Sequence, residues 1–205
     1  MKQKDAFLAG EGDAWFDRNH GSLGLYDPVT PLIDELNLKP TMVMEIGCAN
    51  GWRLSLLRHK FGCTVLGIEP SMKAAMDGAR FRVPIYQMTA WALPVSKKTY
   101  DLIIYGFCLY LTDPEDWLTI AAEADRVLTD GGHIIIHDFN DWVGGKVISK
   151  KYEHRKDITS YHYDFAKLWL GHPRYQVVRW LDGAHNDGVM VIRKNALGEM
   201  VRSIP

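Results

Sequence analysis

The sequence predicts an α/β fold, a mostly parallel seven-stranded sheet with helices on both faces and a closing antiparallel strand pair. Three observations carry this expectation. From Met42 onward, short apolar runs alternate with segments of helical period. The first run leads into a glycine-containing turn that opens a helix, Glu45-Ile46-Gly47-Cys48-Ala49-Asn50-Gly51. The last two runs, Tyr175 to Leu181 and Val189 to Arg193, are separated by the turn signals Asp182-Gly183 and Asp187-Gly188, which suit antiparallel neighbours.

Element by element, residues 1 to 30 read as an N-terminal cap or lid. Phe7, Trp15 and Phe16 stand there beside Glu11, Asp13, Asp17 and Arg18, with Gly10 and Gly12 as breakers. Thr30-Pro31 starts a helix that Pro40 ends. Met42 to Ile46 is the first strand and Trp52 to Lys60 the following helix; Thr64 to Ile68 is the second strand and Ser71 to Ala79 a helix. Pro84 to Met88 and Tyr100 to Tyr105 are the third and fourth strands. Asp113-Pro114-Glu115-Asp116 supplies an N-cap, a proline at the first helical position and acidic residues that complement the helix dipole. Trp117, Ile120, Ala121, Ala124, Val127 and Leu128 then repeat at helical spacing, so the helix lays one apolar stripe on the sheet. Asp130-Gly131-Gly132 reads as a turn before a fifth strand, His133 to His137. Residues 140 to 172 form a long polar connection through Gly144-Gly145 that ends in a short helix from Asp164 to Leu170. A connection of that length is more often functional than idle.

At 205 residues the chain suits a single domain with a full core, and its 47% hydrophobic and 24% charged residues place it among ordinary globular proteins. A formal net charge of -1 gives no positive field for phosphate backbones or acidic membranes, so neither nucleic acid nor membrane is the expected partner. Cys48, Cys63 and Cys108 are odd in number and form no zinc-like pattern, and His154 and His162 lack companion cysteines; no metal is expected. Reduced thiols, and the absence of a long apolar stretch near Met1, point to the cytoplasm.

The loop after the first strand is where an α/β sheet brings backbone amides against a ligand. Gly47 permits the turn, Ala49 still admits a ligand beside the backbone, and Gly51 lets the next helix pack closely. Glu45 sits awkwardly beside a pyrophosphate and suits a ligand carrying an ammonium or sulfonium. Glu69 closes the second strand roughly 20 residues on, where a carboxylate can accept both hydroxyls of a ribose.

With these residues the chain resembles a class I S-adenosylmethionine-dependent methyltransferase from about Met42 to Phe139. The family's Glu-x-Gly-x-Gly-x-Gly loop resembles Glu45 to Gly51, its ribose-binding acid resembles Glu69, and Leu93-Pro94 with Tyr100-Asp101-Leu102-Ile103 resembles the approach to its fourth strand. Arg126-Val127-Leu128 and Gly131-Gly132-His133-Ile134 resemble its next helix, turn and fifth strand. The resemblance implies a Rossmann-like methyltransferase fold with S-adenosylmethionine as cofactor. It implies that Glu45, Gly47, Cys48, Ala49, Asn50 and Gly51 hold the methionyl part, Glu69 the ribose and Thr89-Ala90-Trp91 the adenine, that Gly106-Phe107 line the floor, and that Pro70 and Ser71 also belong to the cofactor site. Ala49 departs from the family's middle glycine, and Thr89 stands where many members carry an aspartate. The stretch Leu8 to Asn19 is also similar to the start of methylases associated with pseudaminic acid and related surface-sugar biosynthesis, which implies a lid with Trp15 over a ligand and Arg18 or Asn19 reaching the cofactor carboxylate.

Methyl transfer from a sulfonium is an in-line displacement, so alignment and exclusion of water are the protein's main tasks. Ligands sit outside the carboxyl ends of the strands, which nominates Tyr105, Tyr110, His137, Asp138 and Phe139 as acceptor surroundings. His137 is the expected base for a hydroxyl acceptor, tuned by Asp138 or another carboxylate. Tyr152, His154, Tyr161, His162 and Tyr163 are candidates to shape the acceptor pocket. The leading reading is methyl transfer to a small-molecule hydroxyl, on a sugar or nucleotide-sugar. Methylation of a nucleic acid or protein, and non-catalytic cofactor binding, are the competing readings.

Overall fold

The structure, a computed structural model, describes residues 1–139, 146–183 and 187–200. Its N-terminal segment is helical: α1 (Gln3–Ala6), a π turn (Phe7–Glu11) and α2 (Gly12–Asn19). Gly10 does break the helical path, since its φ of 133° puts a kink between the two helices, whereas Gly12 lies inside the first turn of α2. α3 (Val29–Glu35) begins where Asp27 Oδ1 accepts the Val29 and Thr30 amides at 3.1 and 3.3 Å, with Pro31 in the first turn where no donor is lost.

β1 (Met42–Ile46), α4 (Trp52–Phe61), β2 (Thr64–Glu69), α5 (Met72–Asp77), β3 (Ile85–Gln87) and β4 (Tyr100–Gly106) follow, then α6 (Trp117–Val127) and β5 (Leu128–Phe139). After them come β6 (Ile148–Lys151), β7 (Thr159–His162), α7 (Lys167–Leu170), β8 (Tyr175–Asp182), β9 (Asp187–Lys194) and α8 (Leu197–Met200). The main sheet has seven strands in the order β3-β2-β1-β4-β5-β9-β8. β3, β2, β1, β4 and β5 are parallel, while β9 runs antiparallel to both β5 and β8.

Alternation along the strands divides the core. Met44, Ile46, Ile103, Ile134 and Ile136 face the apolar stripe of α6, whereas Val43, Leu102, Ile104 and Ile135 face Leu32, Ile33, Leu54 and Leu57 of α3 and α4. Each such fully buried side chain contributes about 1.5–3 kcal/mol. The chain order reverses beside β1, so the carboxyl ends of β1 and β4 open a crevice, and both candidate ligand loops are there.

Two expectations are corrected. Asp130-Gly131-Gly132 is not a turn ahead of a strand but an irregularity within β5: Tyr100 pairs with Leu128 and Leu102 with His133, and Gly131 takes φ 82°. The long connection is not purely loop either. Its residues 140–145, including Gly144-Gly145, lie outside the described residues, but β6 and β7 form a separate antiparallel hairpin before the helix, which begins at Lys167 instead of Asp164.

Candidate active site

The carboxyl ends of β1, β2 and β4, roofed by the N-terminal helices, line a cleft that opens to solvent. Of the residues nominated from sequence, Gly47, Glu69, Pro70, Thr89, Ala90, Trp91, Gly106, Phe107 and Trp15 line it. Cys48, Ala49, Asn50 and Gly51 stand behind its wall as the buried turn between β1 and α4. Gly47 takes φ 72°, and a Cβ there would lie 2.6 Å from Cys108 Cβ, so the turn packs directly on the loop after β4. Ala49 also sits in the left-handed region, at φ 48°, a strain of about 1 kcal/mol where a glycine would be relaxed. The departure from the family's glycine is therefore tolerated at a local cost.

Glu69 is the best-held group in the cleft. Its Oε2 accepts the Ala49 amide and its Oε1 the Ser71 amide, both at 2.9 Å, which fixes the carboxylate and leaves further lone pairs on each oxygen. Burial raises its pKa to about 7 despite those two amides. A buried carboxylate with two oxygens available in a ligand-sized cleft fits a group that offers paired hydroxyls, as the ribose of S-adenosylmethionine does.

The N-terminal helices are bolted to the body by contacts that sequence reading did not find. Gln3 Nε2 donates to the Leu111 carbonyl at 3.0 Å, and the Gln3 amide donates to Asp113 Oδ2 at 2.8 Å. Asp13 Oδ1 accepts from Ser71 Oγ at 2.7 Å and from the Lys73 amide at 2.9 Å. Lys4 Nζ lies 3.9 Å from the Trp91 ring centroid, a cation–π contact across the cleft mouth. Ser71 itself caps α5 by accepting the Ala74 amide and does not line the cleft.

Several nominated residues lie elsewhere. Glu45 does not reach the cleft: it is buried in an ion pair with Arg53 Nη1, whose Nε donates to Asp27 Oδ1 at 3.1 Å. Arg18 is held by Glu11 at 2.6 Å and by the Tyr152 hydroxyl at 2.8 Å, because α2 turns it toward β6 and β7 and away from the cleft. Asn19 caps its own helix through the Trp15 carbonyl at 2.8 Å. Tyr105 is fully buried against Trp169 and does not line the cleft.

Asp138 and His137 occupy opposite faces of β5, so Asp138 cannot orient the imidazole. Asp138 Oδ2 instead accepts the amides of Cys108, Leu109 and Tyr110 at 3.2, 2.8 and 3.3 Å, and Oδ1 accepts the Phe139 amide at 2.8 Å. Burial raises its pKa to about 7. The carboxylate opposite His137 is Asp187, 3.0 Å from Nε2, supplied by the antiparallel β9. His137 is 2% exposed, and burial lowers its pKa, which keeps the ring neutral. With Nε2 donating to Asp187, Nδ1 is an acceptor without a protein partner, and the ring lies 4.3 Å from that of Phe107 in the cleft wall.

Phe139 continues that aromatic wall, 4.9 Å from Tyr110 and stacked at 4.7 Å on His162. His162 also bonds Ser160 Oγ at 2.9 Å. Tyr110 is buried, which raises the pKa of its hydroxyl. Tyr152 bridges Arg18 and Glu11, whereas His154 is exposed and touches only the edge of Tyr152 among its ring contacts. Tyr161 and Tyr163 pack on Trp117. Among the described residues no group of three or more His, Cys, Asp or Glu is placed to hold a metal ion, and no helix is long and apolar enough to cross a membrane.

Residues 43–132, which carry the turn, Glu69 and the loop after β4, match the family model described as a methyltransferase domain. That match and the fold support an S-adenosylmethionine-dependent methyltransferase. S-adenosylmethionine is its cofactor. The chain superposes on the Burkholderia thailandensis 1,6-didemethyltoxoflavin-N1-methyltransferase, solved with 1,6-didemethyltoxoflavin and S-adenosylhomocysteine, with a TM-score of 0.73 and 15% identity over 94% of this chain and 91% of that one. A Methanosarcina mazei S-adenosylmethionine-dependent methyltransferase gives 0.65 at 16% identity, over 82% and 99% of the two chains. The geranyl diphosphate C-methyltransferase of Streptomyces coelicolor gives 0.60 at 13% identity, over 76% and 71%. These likenesses show a shared fold. No curated protein matches the sequence.

Proposed function

We propose that this methyltransferase methylates a hydroxyl of a small-molecule acceptor, a sugar or nucleotide-sugar, in the cytoplasm. The observation that carries the reading is the buried His137–Asp187 pair, whose Nδ1 is an oriented acceptor one ring away from the cleft. A hydroxyl needs a base where a more nucleophilic acceptor does not, and a neutral imidazole oriented by a carboxylate is suited to that task. The sugar assignment rests on the similarity of Leu8 to Asn19 to surface-sugar methylases. The near-neutral net charge supports a small acceptor over nucleic acid.

In this reading Glu69 holds the ribose hydroxyls, Thr89, Ala90 and Trp91 border the adenine, and Gly47, Gly106 and Phe107 surround the methionyl end. S-adenosylmethionine, when bound, supplies a methyl group on a sulfonium, whose carbon–sulfur bond breaks with its electron pair kept by sulfur. His137 Nδ1 takes the proton of the acceptor hydroxyl, and Asp187 stabilises the imidazolium that results. Trp15 and the lid keep water out.

The test is transfer from tritiated-methyl S-adenosylmethionine into a cell extract split by ultrafiltration. Label in the small-molecule filtrate, with His137→Ala reducing turnover by about 10²-fold or more and S-adenosylhomocysteine affinity retained, is the expected result. Label confined to protein or nucleic acid would overturn the reading.

A further inference from the structure

Behind the Phe107 ring lies a second polar centre that the cleft does not contain. Arg53 is gripped by Glu45 and Asp27, and this assembly sits over Gly106: a Cβ there would lie 2.9 Å from Glu45 Oε1 and 3.0 Å from Arg53 Nη1. Gly106 is the register partner of His137 on β5, so the missing side chain brings the ion pair alongside the imidazole.

Three buried atoms in this centre have no hydrogen-bond partner among the described residues: Glu45 Oε2, Asp27 Oδ2 and His137 Nδ1. All three are acceptors in the tautomer that Asp187 imposes, and the Glu45 and His137 residues are each 2% exposed. Leaving buried acceptors unpaired is costly, so three of them on residues joined through Arg53 and Gly106 mark a place for donors. The charge also falls short. Two carboxylates share one guanidinium, and burial outweighs Arg53 in setting the acidity of Glu45, which is raised. A neutral diol would satisfy the lone pairs but not the charge; an ammonium satisfies both. Access is short on one side, where the half-exposed Tyr26 meets His137 edge-on at 5.8 Å.

Resting on the small-molecule hydroxyl reading above, we propose that the acceptor carries a protonated amine near that hydroxyl, as an amino sugar does, and that Asp27 and Glu45 receive this ammonium beside His137. Neither carboxylate lines the cleft that holds Glu69, and the centre lies across Gly106 from it, on the His137 side of the sheet.

The experiment treats the extract filtrate with N-hydroxysuccinimidyl acetate, which turns amines into neutral amides, quenches it, and repeats the tritiated methyl transfer with the wild-type enzyme. Incorporation is expected to fall about tenfold or more. Incorporation that survives acetylation overturns the amine and leaves the hydroxyl reading standing, whereas no label in the untreated filtrate is a failure of that reading itself. Asp27→Asn, tested on untreated filtrate, is expected to raise the acceptor KM about tenfold while S-adenosylhomocysteine affinity changes less than about twofold. An equal loss of S-adenosylhomocysteine affinity would assign these oxygens to the cofactor's own amine and overturn the proposal.

Discussion

Glu69 Oε2 accepts the Ala49 amide at 2.9 Å, tying the end of β2 to the turn that ends β1. The carboxylate is thereby positioned before any ligand arrives, but burial lifts its pKa to about 7. Hydroxyl donors from a ribose favour the ionised form, so binding lowers that pKa and releases a proton when it begins below 7. S-adenosylhomocysteine affinity is expected to weaken as pH falls from 7 toward 5 and to level off above about 7.5. Titration calorimetry in two buffers of different ionisation enthalpy checks the proton release. Glu69→Ala is expected to cost about 10–100-fold in affinity and to flatten the profile.

Asp138 accepts four backbone amides around the turn after β4. Asp138→Ala strips those donors of their acceptor and is expected to lower stability by about 2–4 kcal/mol in urea unfolding, with Asp138→Asn intermediate. Loss of turnover at unchanged stability would contradict this anchoring role.

Arg53 is the cation that Glu45 and Asp27 share in the interior. Arg53→Met leaves two carboxylates uncompensated, at a cost of about 3–5 kcal/mol near neutral pH. Without the guanidinium the folded-state pKa of Glu45 rises further, so the loss is smallest at low pH and grows as pH rises above the ordinary carboxylate range. Unfolding midpoints at pH 5 and pH 8 measure the difference.

Gly47→Ala places a Cβ 2.6 Å from Cys108 Cβ at a backbone φ of 72°. We expect a loss of about 2 kcal/mol or more and weakened S-adenosylhomocysteine binding. Because the clash is with Cβ, adding Cys108→Ala is expected to give little rescue, which thermal melting of the double variant will show.

Tyr152→Phe removes the hydroxyl between Arg18 and Glu11, the tie between α2 and the β6–β7 hairpin. The expected outcome is a loss of about 1 kcal/mol in lid closure and a roughly fivefold faster release of S-adenosylhomocysteine, read by stopped-flow.

The parallel half of the sheet was legible because its strands are apolar runs buried on both faces and cut by glycines, as in Met42 to Ile46. The hairpin of β6 and β7 was not, because Ile148–Lys151 is largely exposed and Thr159–His162 buries Ser160 and His162, so neither shows apolar alternation. Of the candidate site, the residues whose role is local came through: the turn at Gly47 and the strand-end Glu69. Partners set by tertiary pairing stayed hidden. Asp187 reads as a turn residue until β9 lies against β5, and Arg53 gave one usable signal, an arginine on the buried side of a helix facing the same layer as Glu45.

The segment Phe7–Glu11 carries a kink at Gly10, whose φ of 133° lies outside any regular right-handed helix. Each residue of an α-helix advances the side-chain direction by about 100°. Deleting Gly10 would remove the kink that sets the angle between α1 and α2, and Trp15 would then be turned relative to the anchors at Gln3 and Lys4. The phase of this short helix, and not its composition, decides whether its indole covers the cleft or faces away, so length variation here is expected to be far less tolerated than substitution.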